Sequence, residues 1–358
     1  MLSIFLFFNR NKTTGYLAVI FYVIILWAFG IWSYISRNTA KYDYFVVDSL
    51  AALMIITLCI VATAAFFHSY RYLEKYNYSE TPHTKALFLA SLVVLCTSIA
   101  ASFISNHLAI SWIFIELTTL SSSVLIYHHR NIRALEGVWK YVFVSAIGIT
   151  LVYLGILFLS IALKPSGSQD LRFDNLYILS DKLNTFWLKL AFIFIFTGFT
   201  VKMGLVPLYT VGIDAKDKAP APAGAIFASV LMNTGFIAIY RFYALVSKTP
   251  VKHWADSIII FSAFLSLFIA AVYMTRIKNI KRMFAYSGIE HMGIIMIGLV
   301  SGGIGIYAAI LHILLHSLIK PSLFFQYNQI YWVFQSKSIY DVGNYIKYNK
   351  TVANCKTC

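Results

Sequence analysis

Several ionisable side chains lie inside stretches that are otherwise apolar. Glu116 sits in Ile110-Ser-Trp-Ile-Phe-Ile-Glu-Leu-Thr-Thr-Leu, and Lys202 in Gly198-Phe-Thr-Val-Lys-Met-Gly-Leu-Val-Pro207. His312, His316 and Lys320 follow one another at i, i+4 and i+8, and Glu290 and His291 are adjacent. Lys140 opens a further apolar run just after Trp139. The chemistry these types share is reversible protonation. A carboxylate at membrane depth is balanced between desolvation and a nearby cation. A buried lysine readily changes protonation state, and histidine passes a proton near neutral pH. Three residues at i+4 intervals are about 40° apart around a helix and form a stripe roughly 12 Å long. Each group also has a bland reading. Glu116 could cap a polar contact, Lys202 could snorkel to the interface, and Glu290 and His291 could pair structurally with a neighbouring helix. Lys140 could be an interfacial anchor or an inner relay member, and Arg241 reads as an anchor. Charges inside a span are costly, about 2.5–3.5 kcal/mol or more at its centre, which favours function for Glu116, Lys202 and the histidine stripe. The i, i+4 histidines lack an H-E-x-x-H pattern and a third ligand, so no metal site is expected.

The elements that must hold these groups are membrane helices. Of the 358 residues 59% are hydrophobic and only 12% charged, and the mean hydropathy is +0.74. So much apolar surface needs lipid as a solvent. Ten runs are long enough to span: about 16–35, 44–67, 86–104, 108–127, 138–163, 186–211, 223–246, 257–275, 284–300 and 306–334. Runs without period-two alternation are helices, because barrel strands alternate. Gly204 and Pro207 predict a broken helix near Lys202–Pro207, tolerated where the backbone lines a cavity or is buried in protein. Lys164 to Lys182 is the one sizeable polar break, a surface loop with a short amphipathic piece.

The net charge of +15 reflects loops, not a nucleic-acid surface. If the runs alternate direction, one face collects Arg10, Lys12, Arg71, Lys75, Lys85, Arg130, Arg133, Arg276, Lys278, Lys281, Arg282 and Lys337. The other holds Arg37, Lys41, Lys164, Arg172, Lys182, Lys248 and Lys252. The positive-inside rule makes the first face cytoplasmic and predicts a multi-pass protein of the cell inner (cytoplasmic) membrane. Cys59 and Cys96 lie in apolar runs and read as packing residues. Cys355 and Cys358 form a lone C-x-x-C, a weak metal or redox signal. No cleavable leader stands out. The apolar stretch from Met1 to Phe8 is too short to span and reads as the stub of a clipped first helix.

Six blocks in order resemble the antiporter-like subunits shared by complex I, group 4 hydrogenases and multisubunit cation/proton antiporters. They are Glu116-Leu-Thr-Thr-Leu-Ser-Ser, Glu136-Gly-Val-Trp-Lys140-Tyr, Lys202-Met-Gly-Leu-Val-Pro-Leu, Asp214-Ala-Lys-Asp-Lys-Ala-Pro220-Ala-Pro, the stretch Lys278 to Gly293, and His312-x3-His316-Ser-Leu-Ile-Lys320. The resemblance runs from about Asp48 to Tyr348. The Glu-Leu-Thr-Thr-Leu and Ile-Glu-His-Met-Gly forms, with Asn233 where complex I paralogues often carry lysine, resemble the hydrogenase-4 component F branch. The resemblance implies a coupled pair of Glu116 and Lys202, and a central relay of His312, His316 and Lys320. Lys140, Glu290 and His291 are further candidate members of the proton relay. It implies proton translocation, with sodium as a rival ion, and no catalytic residue, cofactor or metal in this chain. Expected partners are lipid, other membrane subunits and the hydrophilic redox subunits of a hydrogenase or NADH:quinone oxidoreductase-type complex, and not nucleic acid. A stand-alone cation/proton antiporter and a truncated structural or assembly remnant are the rival readings. The family's loop usually carries histidine where this chain has Lys216. The family is also built from two inverted five-helix repeats. Residues 86–246 would be the first, 256–334 an incomplete second and 335–358 a cytoplasmic tail, all in one membrane domain, as in a truncated chain.

Overall fold

The computed structural model describes residues 1–8, 11–75 and 81–343. The pair Cys355 and Cys358 lies outside them. Among the described residues ten helical spans are long and apolar enough to cross a membrane, so the chain is an all-α, multi-pass membrane protein. Helix α1 (Leu2–Phe8) is short and packs beside α4. The spans are α2 (Lys12–Ile35), α3 (Ser49–Lys75), α4 (Pro82–Ile104), α5 (Leu108–Ile126), α6 (Ile132–Leu163), α8 (Thr185–Met203), α12 (Lys252–Met274), α13 (Ile280–Ser301) and α14 (Ile304–Phe334), with a tenth divided in two. That tenth is α10 (Ala221–Phe227) and α11 (Val230–Val246), which meet at Ser229 with φ −129° and ψ −101°. It is the central column, since nearly every residue in it is buried. By contrast α2 and α12 expose rows of large apolar side chains, among them Ile20, Phe21, Ile24, Phe261, Phe264 and Phe268. Those rows have no water-compatible partner and belong against lipid or another apolar helix. The loop 164–182 carries α7 (Phe173–Ile178), whose Phe173 and Leu176 are buried, as expected of an amphipathic piece.

Small residues set the closest approach in the bundle. On α6 the buried positions Gly137, Tyr141, Ser145, Gly148, Val152, Gly155 and Leu159 fall in a three-four rhythm. Gly148 faces Gly198 of α8 so closely that a Cβ on Gly198 would overlap the Gly148 carbonyl. A Cβ on Gly155 would lie 3.1 Å from the Ala191 carbonyl oxygen. Without a hydrophobic drive between helices in lipid, such close backbone packing is what holds them. It also fixes the register of α6 against α8.

The sequence predicts a break after Lys202, and α8 ends at Met203. Gly204 adopts φ 82°, a left-handed conformation natural to glycine, and its N–H reaches the Thr200 carbonyl at 2.7 Å. A short helix, α9 (Val211–Lys218), resumes after Pro207. The loose backbone between them is satisfied from α12. Ser266 Oγ accepts from the Val206 N–H at 3.0 Å, and Ser262 Oγ donates to the Val206 carbonyl. Unpaired, each buried backbone group would cost about 1–3 kcal/mol.

Arg241, whose sequence position suggests an anchor at a span end, is instead a buried clamp between helices. Buried near the end of α11, it donates to the carbonyls of Ser105 and Phe103 and to Asp48 Oδ2 at 3.0 Å. At the opposite face the segment after α14 docks on the start of α13. Ile280 N–H reaches the Lys337 carbonyl at 3.1 Å, and Ile339 N–H reaches the Lys278 carbonyl at 2.8 Å.

Candidate functional site

Glu116 and Lys202 come together, but through an intermediary. Lys202 is only 6% exposed. Its ammonium donates to Thr119 Oγ1 at 2.7 Å and to Tyr141 Oη at 3.0 Å. Thr119 lies one helical turn from Glu116 and donates its hydroxyl to Glu116 Oε2 at 3.2 Å. The carboxylate and the ammonium are therefore joined by one hydroxyl rather than by direct contact. The geometry follows from three helices: α5 presents Glu116 and Thr119, α6 presents Tyr141, and the last turn of α8 presents Lys202. The glycine contacts between α6 and α8 bring Tyr141 to that turn.

Thr119 and Tyr141 escape a search for charged residues. The rhythm of Gly137, Gly148 and Gly155 could have found Tyr141, because it shares their face. Lys140, its neighbour in sequence, does not. Lys140 is exposed and ion-paired with Glu136 at i−4, about two turns from the start of α6, and among the described residues it has no hydrogen bond or ion pair with Glu116 or Lys202.

The second cluster spans α13 and α14. His291 Nδ1 and His312 Nε2 share a hydrogen bond of 2.9 Å, and the His291 and His316 ring centroids are 5.3 Å apart. Lys320 donates to the Phe284 carbonyl at 3.1 Å. Thus the stripe on α14 does face His291, as the shared helical phase implies. His316 is 4% exposed and neither ring nitrogen has a hydrogen-bond partner among the described residues. A buried imidazole carries at least one N–H, and buried polar groups are ordinarily hydrogen-bonded. Glu290 sits partly buried beside His291. Phe324, fully buried, stands one turn beyond Lys320 and packs on Phe284 with ring centroids 6.0 Å apart.

Lys216 on α9 lies between the two clusters. It is buried, and its ammonium is 3.2 Å from Met232 Sδ. A Cβ on Gly288 of α13 would lie 3.7 Å from that same ammonium. The Met232 methyl group approaches Gly204, where α8 ends; a Cβ there would be 3.1 Å away. Next in sequence, Asn233 donates to Ser317 Oγ at 2.9 Å and accepts from it at 3.1 Å, pinning α11 to α14 beside His316. Proline at 321 removes the N–H that would serve the Ser317 carbonyl within α14. Among the described residues no group of three or more His, Cys, Asp or Glu could hold a metal ion.

A broken helix, an acid–hydroxyl–lysine chain and a buried histidine–lysine stripe in an apolar bundle define the class of antiporter-like membrane subunits. The chain belongs to the NADH:quinone oxidoreductase/Mrp antiporter transmembrane family, whose model matches residues 105–358. It is 29% identical over 307 residues to the hydrogenase-4 component F homolog of Methylacidiphilum infernorum, covering 84% of this chain and 64% of that one. It is 26% identical over 290 residues to NADH-quinone oxidoreductase subunit N of Desulforudis audaxviator, covering 80% of this chain and 56% of that one. The chain therefore spans under two thirds of the length of these relatives. Its fold is similar to a chain of the archaeal membrane-bound sulfane sulfur reductase, with a TM-score of 0.85 at 20% identity, over 95% of this chain and 71% of that one. It is also similar in fold to a chain of the Mrp complex from Dietzia sp., with a TM-score of 0.71 at 15% identity, over 87% of this chain and 58% of that one.

Proposed function

We propose that this chain carries protons through the membrane as a non-redox subunit of a larger hydrogenase or NADH:quinone oxidoreductase-type complex. The observation that carries the reading is the hydrogen-bonded line from the half-buried Glu116 through the buried Thr119 to the buried Lys202. Such a line can move a proton by small displacements of the hydroxyl hydrogen. Lys216 extends it toward His291, His312, His316 and Lys320. Glu290 borders that cluster. Lys140, exposed and ion-paired near the start of α6, fits an entrance more readily than an interior step.

Relatives named as hydrogenase and quinone oxidoreductase subunits support partners of the same kind here, namely other membrane subunits and a hydrophilic redox module. The basic face would lie toward the cytoplasm, in the cell's cytoplasmic membrane. The test is replacement of Lys202 or Glu116 by Ala in the assembled complex. Coupled proton pumping should fall sharply while electron transfer through the partners can still be measured. Unchanged pumping in both variants would end the assignment.

A further inference from the structure

Where α6 and α13 begin and α5 and α14 end, the bundle encloses a cavity of about 840 Å³. Among the described residues five basic side chains line it, Arg130, Arg133, Lys218, Lys281 and Lys337, against one carboxylate, Asp217. Asp217 is only 2% exposed. It pairs with Lys218 at 3.1 Å and Lys337 at 3.5 Å, lies 3.7 Å from Arg282 Nε, and accepts from Asn279 Nδ2 at 2.9 Å. Burial opposes its ionisation, but Lys337 and Lys218, with hydrogen bonds from Lys218 and Asn279, outweigh that and hold the carboxyl below its ordinary value. Among the described residues, one carboxylate cannot balance Arg130, Arg133, Lys218 and Lys337. Lys281 is buried and spends its ammonium on a neutral group, the Ala219 carbonyl at 2.8 Å. Arg130 sits in the left-handed region at φ 47°, a conformation unusual for a side chain of its kind, and this turn brings it to the cavity wall. The helix starts capped by Asn131 and Asn279 add their positive ends to the same space.

Neutral, water-compatible ligands have no use for such a field. An anion with several oxygens does, because arginine forks and lysine ammoniums match phosphate oxygens. The volume falls in the range of small-ligand sites, about 300–1,000 Å³. Its place among helix ends at one face of the bundle is where basic pockets take phospholipid head groups. Tyr72, Tyr327 and Tyr331 supply a less polar part of the lining.

We propose that this cavity binds a phosphate-bearing anion, either the head group of an anionic phospholipid entering from the bilayer or a free phosphate entering from water. None of the cations that would hold it belongs to the line through Lys202 or to the His291 cluster, so this inference does not depend on the proton reading.

The test uses the full chain, purified with the subunits that accompany it and placed in nanodiscs. In one arm the discs hold phosphatidylcholine with or without phosphatidylglycerol, and native mass spectrometry reads which lipid is retained. In the other arm the discs hold phosphatidylcholine alone and inorganic phosphate is titrated. Selective retention of phosphatidylglycerol identifies the lipid source, and binding of inorganic phosphate identifies the free anion. In either case the double variant Arg130→Gln with Lys337→Gln should weaken binding roughly tenfold or more. Asp217→Asn should tighten it, since a repelling carboxylate is removed. That gain cannot be imitated by a damaged fold. Should the double variant fail to fold, Arg133→Gln at an exposed position replaces it, with binding that weakens as salt rises. The proposal is overturned if the wild type prefers neither probe, or if Asp217→Asn binds no more tightly than the wild type.

Discussion

At the residue scale the candidate site turns on hydroxyls. Charges mark Glu116 and Lys202 in the sequence, because a charge in an apolar run is conspicuous. Thr119 and Tyr141 are inconspicuous, since threonine and tyrosine are ordinary residues in membrane helices. What makes them matter is the meeting of α5, α6 and α8, which no local pattern encodes. Thr119→Val keeps the shape and both charges but removes the bridge. Proton flux through the assembled complex should drop by about tenfold or more, the scale of losing one positioned proton-transfer group, and Thr119→Ser should restore most of it. Equal flux in the valine and serine variants would show that the hydroxyl is not on the path. Lys216 was legible only as a departure from the family's usual histidine. Its place between the two clusters depends on the fold of the broken helix.

At the element scale the break after Lys202 was legible from Gly204 and Pro207, because those residues act locally on the backbone. Its support was not. Ser262 and Ser266 look like an incidental i, i+4 pair on α12, and the backbone they serve lies far back in the chain. Replacing both with Ala should destabilise the protein by about 2–6 kcal/mol, taking 1–3 kcal/mol for each of the two buried groups left unpaired. Thermal unfolding in detergent against the single variants checks this, and a loss near zero would mean the break is held elsewhere. Gly198→Ala is expected to force α6 from α8, costing about 1–3 kcal/mol. It should also lengthen the Tyr141–Lys202 contact, so Tyr141→Phe added to it should cost little more flux. Asp217 gives the α9–α10 junction a pH dependence. Its folded pKa lies below the ordinary carboxylate value, so its stabilisation is complete above about pH 4. That stabilisation is lost as the pH falls through the folded value. Asp217→Asn should flatten the acid limb of stability against pH, and an unchanged limb would place the effect on other groups.

At the scale of the whole molecule, the number and class of the spans were readable from apolar run lengths alone. Run boundaries shifted where a helix outlasts its apolar stretch, as at the charged starts of α6 and α13. The division of the tenth span at Ser229 was hidden, because Ala225 to Leu231 is as apolar as any unbroken helix. The alternation of spans places the loop 127–131, the start of α13 and the segment around Lys337 on one face. Single cysteines introduced at Arg130, Lys278 and Lys337 should react with an impermeant maleimide from the same side, and one at Lys182 from the other. Labelling of Arg130 and Lys182 positions from one side would refute the arrangement. The exposed rows on α2 and α12 set where lipid or companion subunits can lie, and neither row was distinguishable in sequence from buried apolar faces.

Thr119 holds one hydroxyl hydrogen between an ammonium that only donates and a carboxylate. On the proposed path, a proton given by Lys202 would push the existing hydroxyl hydrogen onto Glu116. The hydroxyl would then point back toward the lysine, facing the wrong way for a repeat. It must swing about its C–O bond before the next transfer, and the Ile115 carbonyl, 3.5 Å away, offers a resting place during that swing. Thr119 would thus act as a turnstile, passing one proton per rotation and blocking a continuous leak between rotations.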